Sequence, residues 1–167
     1  MTAPKRPTLT VRRATAADAS AIRELTRLAY GKWVPLIGRE PLPMQADYDR
    51  AVAEHLFELA EHEGILVGLV EMIEAPDHIL IENLAVRPDC QGQGIGERLL
   101  QHAEATARRL GLAEVRLYTN ERFASNIAFY ARRGYVAYEH GSLVPGSVTV
   151  FMRKTVRPLA GQPGSPT

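Results

Sequence analysis

Three glycines, Gly92, Gly94 and Gly96, fall within five residues at the junction of two differently patterned segments. Before them, His78 to Val86 is an Ile-, Leu- and Val-rich run that reads as a buried strand. After them, Ile95, Leu99, Leu100, Ala103, Ala107 and Leu110 recur on one helical face until Gly111. A chain that passes from strand to long amphipathic helix in this way is held to an α/β architecture. The junction also has a chemical consequence. Backbone N–H groups at a helix start lack intrahelical partners, and the helix dipole adds partial positive charge there. Glycines remove the Cβ atoms that would hold a ligand away, so the geometry favours a phosphate or pyrophosphate. The same glycines would equally serve a plain tight turn.

Two familiar phosphate-binding templates do not fit. A dinucleotide fingerprint counted from Gly92 and Gly94 needs a glycine at position 97, which is Glu97. A P-loop needs Gly-Lys-Ser/Thr after four intervening residues, and no lysine is near.

The rest of the chain supplies the element order. Leu9 to Arg13 reads as a strand, and Thr15-Ala16-Ala17-Asp18 as a capping box opening a helix with Ile22, Leu25, Leu28 and Ala29 on its apolar face. Gly31 to Gln45 holds Pro35, Pro41, Pro43 and Gly38 and is expected to be largely loop. A helix over 46–55 follows, then strands over 57–62, 64–73 and 78–86. Beyond the long helix come a strand over 114–118, a helix over 124–133 ended by Gly134, and strands over 135–139 and 148–152. The order β-α-α-β-β-β-α-β-α-β-β is that of a mixed α/β domain spanning 9–154, with flexible ends at 1–8 and 155–167.

Composition narrows the function class. Twenty Lys and Arg against nineteen Asp and Glu leave a net charge of +1, with no accumulation of either sign that would suit nucleic acid or a membrane surface. No apolar run approaches the roughly 20 residues that span a bilayer. The one cysteine, Cys90, allows no internal disulfide, and the expectation is a cytoplasmic protein. The five histidines show no metal-ligand spacing, so no metal site is expected.

The pattern Gln91-x-x-Gly94-x-Gly96, flanked by Leu84-Ala85-Val86-x-Pro88 and Leu99-Leu100, resembles the acyl-CoA pyrophosphate loop of the GNAT superfamily of N-acetyltransferases. A second block is similar to that family too: Tyr118-Thr119-Asn120, Ser125-Asn126-Ile127-Ala128-Phe129-Tyr130 and Gly134-Tyr135. The resemblance implies a central, mostly antiparallel mixed sheet of about seven strands flanked by about four helices. It implies acetyl-CoA as co-substrate and acetyl transfer to a primary amine of a small molecule or peptide, by direct attack in a ternary complex. Leu84, Val86, Gln91, Gly92, Gln93, Gly94, Ile95 and Gly96 would then hold the cofactor, with a backbone N–H near Val86 polarising the thioester carbonyl. Tyr130 aligns with the family's general acid, which protonates the departing thiolate. The cofactor-binding asparagine that many relatives carry is Phe123 here, and Asn126, one turn on, is the candidate to replace it. Many relatives are dimers, but no apolar stripe in this chain names an interface.

The attacking amine has to lose a proton, since an ordinary ammonium has a pKa of about 10. At the family's usual carboxylate site on the fifth strand this chain has Thr119, which cannot serve. Glu82 is the best candidate base, with water as the alternative. Period-two alternation places it with Leu80, Leu84 and Val86, so its carboxylate is expected to project among apolar neighbours. A structural ion pair with an arginine, or plain exposure to solvent where the sheet splays, is the competing role, and His78 is a weaker candidate base. Around the acceptor, Tyr30 and Trp33 could form an aromatic surface and Arg39 could meet a carboxylate, or the three could simply pack and pair locally. Two rival functions stay open: a CoA-binding sensor of the same fold without chemistry, and a dehydrogenase, against which Glu97 argues.

Overall fold

The computed structural model describes residues 8–157. Most of the two expected flexible ends lies outside that range. Within it, the last strand runs to Thr155, and buried Val156 donates its N–H to the Ala113 carbonyl at 2.8 Å.

The elements are β1 (Thr10–Arg13), α1 (Ala19–Tyr30), α2 (Val34–Ile37), α3 (Leu42–Gln45), α4 (Tyr48–Glu54), β2 (Leu56–His62), β3 (Ile65–Glu74) and β4 (His78–Val86). They continue with α5 (Ile95–Arg109), β5 (Glu114–Asn120), α6 (Ala124–Ala131), β6 (Val136–Gly141) and β7 (Thr149–Thr155). The fold is mixed α/β with seven strands in the order β1-β2-β3-β4-β5-β7-β6. The segment expected to be loop is instead a 3-10 turn at Gly31–Trp33 followed by the one-turn helices α2 and α3. Its prolines mislead because Pro35 and Pro43 sit in first turns, where a missing N–H loses no intrahelical bond. Gly38, left-handed at φ 72°, stops α2.

Two compact units divide the described residues: 8–72 with 83–102, and 73–82 with 103–157. In the first, β1, β2 and β3 pair antiparallel. The expected capping box is present, with the Thr15 N–H donating to Asp18 Oδ2 at 2.7 Å. Arg12 also grips this carboxylate, and it holds the Asp18 carboxyl down at about 2. Helix α1 buries Ile22, Leu25 and Ala29 in a core with Tyr48, Phe57, Leu59, Leu69 and Ala85. Leu28 stands exposed, because 100° per residue carries it past the edge of that stripe.

A buried polar chain fixes the helical turns of this unit to β4. Asn83 Nδ2 donates to Thr26 Oγ1 at 3.1 Å and to the Tyr48 hydroxyl at 3.2 Å, and Tyr48 donates in turn to the Pro43 carbonyl at 2.6 Å. Helix α5 is seated just as closely. A Cβ on Gly68 of β3 would lie 2.9 Å from Ile95 Cγ2, 2.9 Å from Leu99 Cδ1 and 3.3 Å from the Ala85 carbonyl. The first turn of α5 therefore rests directly on strand backbone.

In the second unit, β4 and β5 run parallel, paired from His78/Glu114 to Ile81/Leu117, while β5, β7 and β6 pair antiparallel. Alternation buries Ile79, Ile81, Val115, Leu117, Val150 and Met152 and leaves Glu82, Tyr118 and Phe151 half-buried on the opposite phase. Helix α6 closes where the Tyr130 carbonyl accepts the N–H groups of Arg133 at 3.0 Å and Tyr135 at 3.1 Å.

The seating on Gly68 is testable. Gly68→Val should cost about 1–3 kcal/mol in urea unfolding, the usual range for overpacking a filled core. Unchanged stability would mean that α5 does not press on this strand.

Candidate active site

The glycine segment begins where β4 ends. The Arg87 N–H donates to the Val67 carbonyl at 2.9 Å, Pro88–Cys90 makes a 3-10 turn, and Gln91 Nε2 reaches back to the Val86 carbonyl at 3.3 Å. Gly92 and Gly94 then adopt φ of 80° and 83°, a region that residues with a Cβ enter only with strain. A Cβ at either position would meet nothing within 4 Å, so the segment faces open space. Ile95 is buried and anchors the helix start, while Gln91, Gly92, Gln93 and Gly94 are exposed. The Arg98 N–H donates to the Gly94 carbonyl at 3.1 Å, so the amides of Ile95 and Gly96 precede the intrahelical ladder. Exposed backbone, glycine conformations and a fifteen-residue helix behind them fit a diphosphate.

Leu84 and Val86 lie on the half-buried phase of β4, alternating with buried Asn83 and Ala85. The Leu84 carbonyl accepts the Tyr30 hydroxyl at 3.4 Å, so Tyr30 ties the end of α1 to β4 and is not only an aromatic wall. Arg39 donates to the Glu40 carbonyl at 3.2 Å, and the Glu40 carboxylate is held by Arg27 at 2.7 Å. Lys32 Nζ lies 4.7 Å from the Trp33 ring centre.

In the second unit, Glu82 of β4 stands beside Tyr118 of β5. The phase it shares with Leu80 is the half-exposed one, and its carboxylate meets a hydroxyl: Tyr118 donates to Glu82 Oε1 at 2.6 Å. No arginine pairs with Glu82 among the described residues, so the competing structural ion pair is not made there. His78 bonds Asp77 at 2.7 Å at the start of the strand.

Tyr130 is buried and its ring stands edge-on to Phe129 at 5.3 Å and to Tyr135 at 5.8 Å. Its hydroxyl has no hydrogen-bond partner among the described residues. Burial raises its pKa, so the phenol keeps its proton well beyond neutral pH. Behind it, Lys154 pairs with buried Glu104 and lies 5.7 Å from the Tyr135 ring centre, packing its stem against Gly134. Asn126 is half-buried, one helical turn before Tyr130, and its side chain also has no described partner. Phe123, at the asparagine position of relatives, is buried. Asn120 is engaged elsewhere: Oδ1 accepts the Arg122 N–H at 2.9 Å and Nδ2 donates to Ser147 at 2.8 Å. Burial raises the Cys90 thiol, which leaves it a poor nucleophile.

The sequence assigns no role to Asn83 or Gly68, and Tyr118 stands there only as part of the second block. A polar residue and a glycine inside apolar strands were the available signals for Asn83 and Gly68.

The model of the acetyltransferase (GNAT) family matches residues 20–135. The S-(2-succino)cysteine N-acetyltransferase of Bacillus subtilis is 30% identical over 152 residues, covering 84% of this chain and 92% of that protein. An amino-acid acetyltransferase of Ralstonia nicotianae is 34% identical over 71% of this chain, which spans only 27% of that longer protein. Among solved structures, PaiA N-acetyltransferase of Thermoplasma acidophilum in complex with coenzyme A superposes with a TM-score of 0.77 at 20% identity, covering 89% of this chain and 99% of that one. Ribosomal-protein-S18-alanine N-acetyltransferase of Escherichia coli gives 0.75 at 18% identity, over 94% and 99%. With its glycine segment, strand order and second sequence block all in place, the chain belongs to the acetyltransferase (GNAT) family.

Proposed function

We propose that the protein transfers the acetyl group of acetyl-CoA to the primary amine of a small, amino-acid-like acceptor. The observation that carries the reading is the exposed segment Gln91–Gly94, with left-handed Gly92 and Gly94 leading into α5, in a chain of this family. Its amides would hold the diphosphate of the cofactor. When bound, acetyl-CoA supplies a thioester carbonyl carbon as electrophile and a thiolate as leaving group. The acceptor class is suggested by the relatives, which include an amino-acid acetyltransferase and an S-(2-succino)cysteine N-acetyltransferase. A cytoplasmic site of action is part of the proposal, and the single cysteine is compatible with it.

The residues divide the work. Glu82, or a water in its place, takes a proton from the ammonium, so that nitrogen has its lone pair free to form the new C–N bond. As the C–S bond breaks, Tyr130 gives the sulfur its phenolic proton, and the second proton shed by the new amide nitrogen returns through solvent to the Tyr130 oxygen, which restores the phenol. The unpartnered hydroxyl supports that role, because no protein acceptor competes for its proton. Asn126 is assigned to the cofactor on similar grounds: a half-buried side-chain amide with no described partner. Leu84 and Val86 offer strand backbone to the pantetheine arm and the thioester carbonyl.

Two experiments test this. Acetyl-CoA or CoA at about 100 times its Kd should stabilise the protein by about 2.7 kcal/mol in thermal-shift titrations, and Gly94→Trp should abolish the effect. NAD(H) should give none. Stabilisation that survives Gly94→Trp would remove the glycine segment from the site. In thiol-release assays with acetyl-CoA and a panel of L-amino acids and simple alkylamines, Tyr130→Phe should lower kcat about 10²–10⁴-fold. Because burial raises the Tyr130 pKa, kcat should show no loss from Tyr130 ionisation up to pH 9.5, about half a unit below an ordinary phenol's pKa. Full activity of Tyr130→Phe would end its role as acid, and CoA binding without turnover on any amine would favour the sensor.

A further inference from the structure

We infer that Tyr118 is a positioning residue for Glu82, holding one carboxylate oxygen so that the other is presented to the acceptor amine. The inference rests on the reading of Glu82 as the base. The backbone itself brings the two side chains together. Ile81 and Leu117 are paired across the parallel β4–β5 ladder, and Glu82 and Tyr118 are the next residues on each strand. Neighbouring strands lie about 4.8 Å apart, so side chains of the same phase emerge side by side. The Tyr118 hydroxyl donates to Glu82 Oε1 at 2.6 Å, a short bond that fixes which oxygen it occupies.

The donor is itself braced. Phe151 pairs with Tyr118 in the β5–β7 register, and their ring centres lie 6.1 Å apart at 48°. Phe151 in turn meets the Tyr138 ring at 6.4 Å, and the Arg153 guanidinium lies 5.0 Å from the centre of that ring. The phenol is thus flanked by a row of rings across the sheet and cannot easily turn its hydroxyl elsewhere. Glu82 has no described cation to orient it, so the Tyr118 bond is what selects a carboxylate rotamer. With Oε1 occupied, Oε2 is the oxygen left to accept. The ammonium N–H bond breaks as the Oε2–H bond forms, nitrogen keeps the electron pair it uses in attack, and the proton later leaves Glu82 for water. Tyr118 keeps its own proton and touches neither reactant.

A double-mutant cycle separates this role from a structural one. Tyr118→Phe keeps the ring contact with Phe151 and removes only the hydroxyl. With acetyl-CoA and the fastest amine of the panel, Tyr118→Phe should lower kcat about 10- to 100-fold, the worth of one charge-assisted hydrogen bond. The KM for acetyl-CoA should stay within about twofold, because the cofactor contacts assigned above are untouched. In the Glu82→Gln background the same change should cost nothing further. Wild-type kcat in Tyr118→Phe, or an equal loss in both backgrounds, overturns the inference while leaving Glu82 as the base. Wild-type kcat in Glu82→Gln, or no turnover with any amine of the panel, overturns the inference and the reading beneath it.

Discussion

The contact between the first turn of α5 and the bare backbone of Gly68 sets the geometry on which the glycine segment depends. A helix normally stands off a sheet by the thickness of two side-chain layers. Here one layer is missing at the crossing point, since Ile95 and Leu99 rest where a Cβ would otherwise be. The helix start is fixed to within the fit of those two side chains, and the chain must climb to it from Val86 in a few residues. Left-handed Gly92 and Gly94 make that climb possible and expose bare backbone at their own two positions. An anion site built from amides works only if the amides are held in place beforehand, and the packing beneath them does that.

The two tyrosines for which we propose roles, Tyr130 and Tyr118, sit in different environments. Tyr130 is buried among rings, has no described acceptor and has its ionisation pushed up by desolvation, so it keeps its proton at neutral pH. Tyr118 is half-buried and already donates to a carboxylate, so its proton is committed and its value is orientation. Behind Tyr130 stand Tyr135 and the buried Glu104–Lys154 pair, which link α5 to β7 and give the aromatic stack a rigid backing.

Much of this is legible in the sequence because it follows from local rules. Strand and helix periods place β4, α5, β5 and α6 to within a few residues, and the spacing of the glycine triplet is enough to mark a candidate anion site. What local rules miss depends on tertiary context. The prolines of 31–45 read as loop signals, although Pro35 and Pro43 begin helical turns where a missing N–H loses nothing. Alternation along β4 correctly groups Glu82 with Leu80, Leu84 and Val86, but pattern alone cannot say which phase is buried, and here it is the phase of Ile79, Ile81, Asn83 and Ala85. Leu28 and Leu110 lie at helical spacing yet stay exposed, because a stripe's edge is set by what packs on it. Tyr118 could not be paired with Glu82 without the parallel register, which no single strand encodes.

On the proposal made above, the amides of residues 91–96 hold the diphosphate of CoA. The most direct measurement is a crystal structure of the protein grown with CoA. Diphosphate oxygens are expected within hydrogen-bonding distance, about 2.7–3.2 Å, of backbone N–H groups in that segment. A diphosphate bound elsewhere, with those amides meeting only solvent, would contradict it.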